Sequence, residues 1–424
     1  MKVNQWTLGL AAAGVISFGA VAQAEEKPSN QVLTAISGTQ ISGYVSTSVH
    51  WNPGQSAGFA GGVAAPQGSS YLANKGDGFN VDVVQLTFSK PLDEGEWSAG
   101  YVAELWMGPD ANVLGNSISG GVSAGGSISL AQGYIALNVP VGNGLTLKVG
   151  TFNTIVGYEG NNSPDNPNYS RSYAYTFGPF QHEGILASYK VCDAVSVQAG
   201  IANAQNTGLG LRAPGGVQSQ KAYMAGVSLT APDSWGFLKG AVLNAAIVDG
   251  FAGVAAPAAG GGVAADIQNI HVGATIPTPL ESIKTGFSMD ILRRDKAADT
   301  LSLASYLSFN NVGIEKLKLN TRVEYFDNNN PTAAVVPAAG GALNLGGAAG
   351  AAGSNTGFDN RAEVLAATIT ADYQLWANVI SRVEYRWDHD LSGNRNLPGN
   401  VNNGAVAGGN NNAHLIALNL IYKF

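Results

Sequence analysis

The chain has 424 residues, with 22 Lys and Arg against 29 Asp and Glu, a formal net charge of −7 and 12% charged residues; this acidity argues against nucleic acid as a partner. A single cysteine, Cys192, excludes an intramolecular disulfide, a CxxCH haem attachment and a cysteine-based zinc cluster, and its place in a short turn reads as incidental. Mean hydropathy is +0.05, and past the N-terminus no apolar run reaches the roughly 18 residues of a spanning helix, so a membrane location has to come from strands that are greasy on one face.

The N-terminus reads as an export signal. Lys2 supplies a positive start, Leu8 to Ala22 is a short apolar stretch, and Ala22-Gln23-Ala24 is a small-residue cleavage site. We assign residues 1–24 to a signal peptide, 25–38 to a short periplasmic segment and 39–424 to one barrel domain, because no composition change divides the remainder. Without the signal, 21 basic residues face 29 acidic ones, a net charge of −8.

From there to its end the chain repeats segments of about ten residues with alternating polarity. Eight predicted strands run Gln40 to Trp51, Asn80 to Pro91, Glu96 to Met107, Ile128 to Pro140, Leu145 to Phe152, Gln181 to Val191, Val195 to Ala204 and Lys221 to Ala231. Eight more run Phe237 to Asp249, Asp266 to Pro277, Ile283 to Arg293, Thr300 to Asn310, Leu317 to Asp327, Ala362 to Leu375, Ala377 to Asp390 and Ala413 to Phe424. Tight connections, such as Val141 to Gly144, Cys192 to Ala194 and Pro232 to Gly236, alternate with long ones, such as Asn153 to Phe180 and Asn328 to Arg361. This pattern predicts an all-β fold, a transmembrane antiparallel β-barrel of about sixteen strands, with short periplasmic turns, long extracellular loops and both termini periplasmic.

In the first strand Gln40, Ser42, Tyr44, Ser46, Ser48 and His50 alternate with Ile41, Gly43, Val45, Thr47 and Val49. The hydroxyl and amide set should face a watery lumen. Glu104, Gln132, Lys148, Gln198 and Asp290 fall on the polar phase of their strands as well. Trp97, Trp235 and Trp376 stand beside short turns, and Trp51, Trp106 and Trp387 at the ends leading to long loops, as expected of two interfacial girdles. Three external loops, Ala57 to Gly68, Phe251 to Ala265 and Ala333 to Gly353, are Ala/Gly/Pro tracts too poor in charge and large side chains to suggest a binding site.

The third long loop, NTIVGYEGNNSPDNPNYSRSYAYTFGPF from Asn153 to Phe180, is of another kind, dense in aromatics, asparagines and prolines that favour defined turns, and it carries Glu159, Asp165 and Arg171. By analogy with sixteen-stranded porins, which fold a loop inward at this place, it is the expected constriction. Asn161, Asn162, Asp165, Asn166 and Asn168 lack the carboxylates and spacing of an EF-hand, so turn chemistry is the better reading than calcium. Further on, TRVEY at Thr321 to Tyr325 recurs as SRVEY at Ser381 to Tyr385, on strands two apart that run in the same direction. Arg322, Glu324, Arg382, Glu384 and Arg386 should then share the lumen wall, since an Arg facing lipid at the midplane costs about 2–4 kcal/mol. Two roles fit them: a mutually neutralising ladder that sets register, or a filter for ions and solutes.

Val149-Gly150-Thr151-Phe152, Gly157-Tyr158-Glu159, Asn168-Tyr169-Ser170-Arg171-Ser172 and Gly178 to Gly184, supported by Arg322 to Tyr325 and Arg382 to Asp388, carry a resemblance to the OmpL-like β-barrel porin-2 family. It covers nearly all of the mature chain except the Gly/Ala tracts, and implies an outer-membrane barrel with porin activity. The final HLIALNLIYKF places Ile416, Leu418, Leu420, Tyr422 and Phe424 on one face and Ala417, Asn419 and Lys423 on the other. With its terminal aromatic it resembles the β-signal by which such barrels are recognised, so Leu418, Leu420, Tyr422 and Phe424 form the expected assembly signal.

The leading function is a passive diffusion channel in the outer membrane of a Gram-negative-type cell, its partners being lipids, the barrel assembly machinery, small solutes and ions. If the acidic excess is felt in the pore, weak cation selectivity follows. The nearest rival is a substrate-specific porin for sugars or anionic nutrients, with Tyr169, Tyr173 and Tyr175 as an aromatic slide and Arg322, Arg382 and Arg386 as an anion track. A non-conducting structural barrel is a third reading. An enzyme is a fourth, disfavoured because the histidines are scattered and no GxSxG elbow is present. No cofactor or metal is expected, and homotrimerisation, common among large porins, is left open.

Overall fold

A strand with apolar and polar residues in alternation can satisfy oil on one face and water on the other only if its hydrogen-bonding edges are also paired. The computed structural model shows how the chain does this. It describes residues 38–53, 75, 77–93, 97–114, 127–205, 209–210, 212, 219–251, 266–294, 299–328, 362–393, 401–402, 405–406 and 411–424. The expected signal peptide and, apart from Phe251, the three Ala/Gly/Pro tracts lie outside the described residues.

The wall consists of β1 (Gln40–Trp51), β2 (Gly78–Lys90), β3 (Ser98–Gly108), β4 (Ser127–Val139), β5 (Leu145–Asn153), β6 (Gln181–Cys192), β7 (Val195–Ala202) and β8 (Ala222–Thr230). It continues through β9 (Val242–Phe251), β10 (Asp266–Pro277), β11 (Ile283–Arg294), β12 (Thr300–Asn310), β13 (Leu317–Asn328), β14 (Ala362–Trp376) and β15 (Val379–Asp390). Two short strands, β16 (Val401–Asn402) and β17 (Ala405–Val406), pair apart from the wall, and β18 (Asn412–Lys423) completes it. Each wall strand pairs antiparallel with its neighbours in sequence, and β18 pairs with both β15 and β1, so sixteen strands close into a barrel without a free edge. Reciprocal bonds, Gly43 N–H to Phe424 O and Phe424 N–H to Gly43 O at 3.0 Å each, tie the last residue to β1 at the seam.

The two faces are opposite in chemistry. Along β15 the inward residues Arg382, Glu384, Arg386, Asp388 and Asp390 are buried, whereas outward Val383 and Tyr385 are exposed. Along β18, Leu418, Leu420, Tyr422 and Phe424 face outward, each about half exposed. A polar interior behind an apolar exterior is the inverse of a soluble barrel and matches a wall in lipid.

All sixteen wall strands lie where the alternation predicts them, and β1, β10 and β12 coincide to the residue. The largest departure is β9, which starts at Val242 rather than Phe237. There Asp233–Leu238 forms two short 3-10 turns that meet at a kink, with Gly236 (φ +61°) and Gly240 (φ +75°) at positive φ and Lys239 paired to Asp233 at 2.9 Å. Trp106 corrects the girdle expectation: it lies two residues from Glu104, shares its inward phase, and is buried with its indole N–H donated to the Glu104 carboxylate at 2.8 Å. Trp51, Trp97, Trp235 and Trp376 are exposed.

Candidate functional site

The site begins with the register of three strands. Across β13, β14 and β15 the inward residues stand in rows: Lys318, Asp372 and Arg382 nearest the short turns; then Asn320, Thr370 and Glu384; then Arg322, Thr368 and Arg386; then Glu324, Ala366 and Asp388. The middle strand contributes Thr and Ala in three of these rows, which leaves space for long charged side chains from both flanks. The two repeats thus align through a strand of small residues, with Arg322 opposite Arg386 rather than Arg382.

The Asn153–Phe180 loop fills that space. Its backbone climbs the rows in order. Arg382 donates to the carbonyls of Ser163 (3.0 Å) and Asn166 (2.9 Å), Asn320 to that of Pro167 (2.8 Å), and Arg322 and Arg386 to those of Ser170 (2.8 Å) and Arg171 (2.6 Å). The Glu384 carboxylate accepts the amide N–H of Tyr169 (2.6 Å) and Ser170 (2.9 Å), and Glu324 accepts that of Tyr173 (2.8 Å). Loop side chains join in: Glu159 pairs with Arg322 at 2.8 Å, and Tyr173 donates to Asp388 at 2.9 Å while stacking on Phe326 at 4.7 Å. A short helix, α1 (Tyr173–Phe177), starts here, its first turn capped by Ser172, which accepts from Tyr175 N–H. The asparagines close turns, as Asn166 does by donating to the carbonyls of Gly160 (2.9 Å) and Asn162 (2.6 Å).

A second anchor lies across the seam. Tyr44 accepts the Ser163 amide at 3.2 Å, and the Tyr169 hydroxyl meets His50 (2.7 Å), Ser48 (3.0 Å) and Asp82 (3.1 Å). Lys75 reaches inward to pair with Asp82 (3.2 Å) and Asp110 (2.5 Å). One arc of the wall, from β13 through β18 to β3, is therefore occupied by the loop and bonded to it.

The opposite arc is open. A cavity of about 620 Å³ lies between the loop and strands β6 to β12, lined there by residues including Ser188, Ser196, Ser228, Asn244, Thr275 and Ser308, and it reaches the short-turn ends of β13, β14, β15 and β18. From the loop, Tyr158 leans across it, stacked on Tyr306 at 4.4 Å, hydrogen-bonded to Thr275 at 3.0 Å, and seated over Gly286, where a Cβ would collide with its hydroxyl. His271, held by Asp290 at 2.7 Å, also faces the cavity.

The expected site residues fall into three groups. Arg322, Glu324, Arg382, Glu384 and Arg386 do share the inner wall, together with Asp388, but all are buried under the loop. The arrangement is a ladder that grips a loop, and of these five only Arg382 also lines the cavity. Glu159 and Arg171 are consumed likewise: the Glu159 side chain is 1% exposed, and Arg171 donates to the carbonyls of Asn161, Asn168 and Tyr169. Glu104 is buried against Trp106 and Gln132, and Lys148 lies 4.7 Å over the Tyr134 ring. Asp165 alone among the acidic residues expected at the site faces the cavity.

Two expectations need correction. Tyr169, Tyr173 and Tyr175 form no slide, because their rings are buried as packing for the loop. Arg322 and Arg386 form no anion track, because their guanidinium groups are spent on Glu159, Glu324 and Asp388. The cavity's charges are instead Lys284, Lys316, Lys318 and Lys423, the bonded pair Arg382 and Asp372 (2.8 Å), and Asp165. Sequence reasoning passed over the lysines and Tyr158 as site residues, although three of the lysines sit on the polar phase of their strands, beside short turns.

Comparison with known proteins agrees with this architecture. No curated protein matches the chain. Among solved structures it is similar to an anion-selective porin from Comamonas acidovorans (TM-score 0.54, 11% identity, 91% of this chain and 99% of that one). It is similar also to the outer membrane channel DcaP of Acinetobacter baumannii (0.54, 11%, 91% and 97%) and to OmpT of Vibrio cholerae in its trimer form (0.52, 11%, 91% and 99%). At such identities the likeness is one of fold. The family model described as "Putative beta-barrel porin-2, OmpL-like" matches residues 38–424, and the chain, an outer-membrane porin-type barrel, belongs to that family.

Proposed function

We propose that the barrel is a passive diffusion channel for small hydrophilic solutes and ions, and that the Asn153–Phe180 loop is its constriction, with Tyr158 and Asp165 at the narrow part. The observation that carries this is the asymmetry of the lumen. Charged and backbone hydrogen bonds hold the loop to one arc, while short side chains on the facing arc leave about 620 Å³ beside it. A loop fixed in this way narrows a passage without closing it, and the filtering is done by size and fixed charge. No side chain is assigned bond chemistry.

In the same reading the short turns and both termini are periplasmic, and residues 1–24 direct export. Leu418, Leu420, Tyr422 and Phe424, outward on the seam strand, present the signal to the assembly machinery. Assembly as a homotrimer is supported by the trimer form of OmpT, and analytical ultracentrifugation in detergent tests it. The central experiment is planar-bilayer conductance of the refolded full-length barrel. We expect steady ion conductance, and a larger one when 157–176 is replaced by a short Gly/Ser linker. A correctly folded barrel with no conductance would overturn the reading.

A further inference from the structure

Four lysines line the short-turn end of the cavity, spread round its rim: Lys284 on β11, Lys316 and Lys318 at the start of β13, and Lys423 at the end of β18. Lys284, Lys318 and Lys423 belong to the inward phase that buried Ser288, Asn320 and Asn419 mark on the same strands. Among the described residues none of the four has an ion-pair partner. The rest of the cavity's charge does not cancel them. Arg382 and Asp372 neutralise each other at 2.8 Å, which leaves Asp165, among the described residues, as the single acidic group against four ammonium groups.

The acids around the loop are spent elsewhere. Glu159, Glu324 and Asp388 face arginines, Asp82 and Asp110 face Lys75, Asp290 faces His271, and Glu384 is occupied by backbone amides. From the described residues a solute in the cavity is therefore exposed to an excess of three positive charges, five basic against two acidic, although the whole chain carries −7. Fixed charges lining a narrow passage concentrate counter-ions, each over a Debye length of about 10 Å at 0.1 M salt.

Resting on the channel reading above, we infer that Lys284, Lys316, Lys318 and Lys423 form an anion-collecting vestibule, so that the channel selects small anions such as chloride, phosphate and carboxylates over cations. This reverses the selectivity expected from overall composition. The test is the zero-current potential of the refolded full-length barrel across a KCl gradient around 0.1 M. The expected chloride-over-potassium permeability ratio is about fivefold, the order set by one unit charge at contact distance in water. It should fall toward one when all four lysines are changed to Gln, and fade in about 1 M salt, where the Debye length is about 3 Å. Lys239→Gln, at an exposed lysine paired with Asp233 outside the cavity, should leave the ratio unchanged. A conducting barrel that prefers potassium, or whose quadruple Gln variant keeps its chloride preference, would overturn the inference while leaving the channel standing. A folded barrel without conductance would overturn both.

Discussion

Glu384 fixes more of the loop than its size suggests. Its carboxylate accepts two successive amides, of Tyr169 and Ser170, and the Thr370 hydroxyl at 2.7 Å, all in buried surroundings. Buried amides left without a partner cost about 1–3 kcal/mol each. Glu384→Ala should therefore lower the unfolding free energy of the barrel in lipid vesicles by about 2–6 kcal/mol and raise its single-channel conductance as the loop loosens. An unchanged conductance would show that the remaining arginine contacts hold the loop by themselves. Asp165 makes a different prediction. Enclosure by the barrel raises its carboxyl to about 6, with Glu104 pushing the same way and Lys423, Arg171 and the Asn162 hydrogen bond pulling against it. As pH falls from 7 to 5 this carboxyl takes up a proton, so the cavity becomes more positive. Chloride preference should rise over that interval, read from the zero-current potential, and Asp165→Asn should show the low-pH value throughout. A pH response persisting in that variant would show that Asp165 does not set it.

At the scale of elements, strand positions were legible because each strand meets two solvents and writes both into alternate residues. Where neither solvent dictates the side chain, at the exposed turn before β9, the reading failed by five residues. The outward face of β18 makes this physical: Leu418→Arg puts a guanidinium among acyl chains at a cost of about 2–4 kcal/mol near the midplane. The folded fraction after refolding into phospholipid vesicles should fall accordingly, and normal folding would mean that this face does not meet lipid. The loop was legible as turn-rich and as the expected inward segment, and the paired Arg/Glu repeats were legible as inner wall. What joins them was not, because Tyr169 and Glu384 meet over 215 residues of sequence and alternation is a purely local signal. The same limit hid the lysines: their phase can be read from the chain, but which cations remain unpaired depends on where the loop has spent the acids.

For the whole molecule, the consequence is a barrel divided into an arc that holds the loop and an arc that borders the cavity. The holding arc is dense, with Thr370 fully buried beneath Asn168 and Glu384. The cavity arc carries small residues whose side chains border the open space. Equal added volume should then have opposite effects on the two sides. Ser196→Trp or Asn244→Trp would project a ring into the cavity, and liposome swelling with sugars of increasing size should slow at a smaller cut-off than in the parent, with stability unchanged. Thr370→Phe would instead overpack a filled region, costing about 1–3 kcal/mol, and should displace the loop rather than obstruct the passage, so swelling should not slow. If both classes of variant slow swelling alike, solutes do not keep to the open arc and the division of the lumen is wrong. If neither tryptophan slows it, the passage lies elsewhere in the barrel.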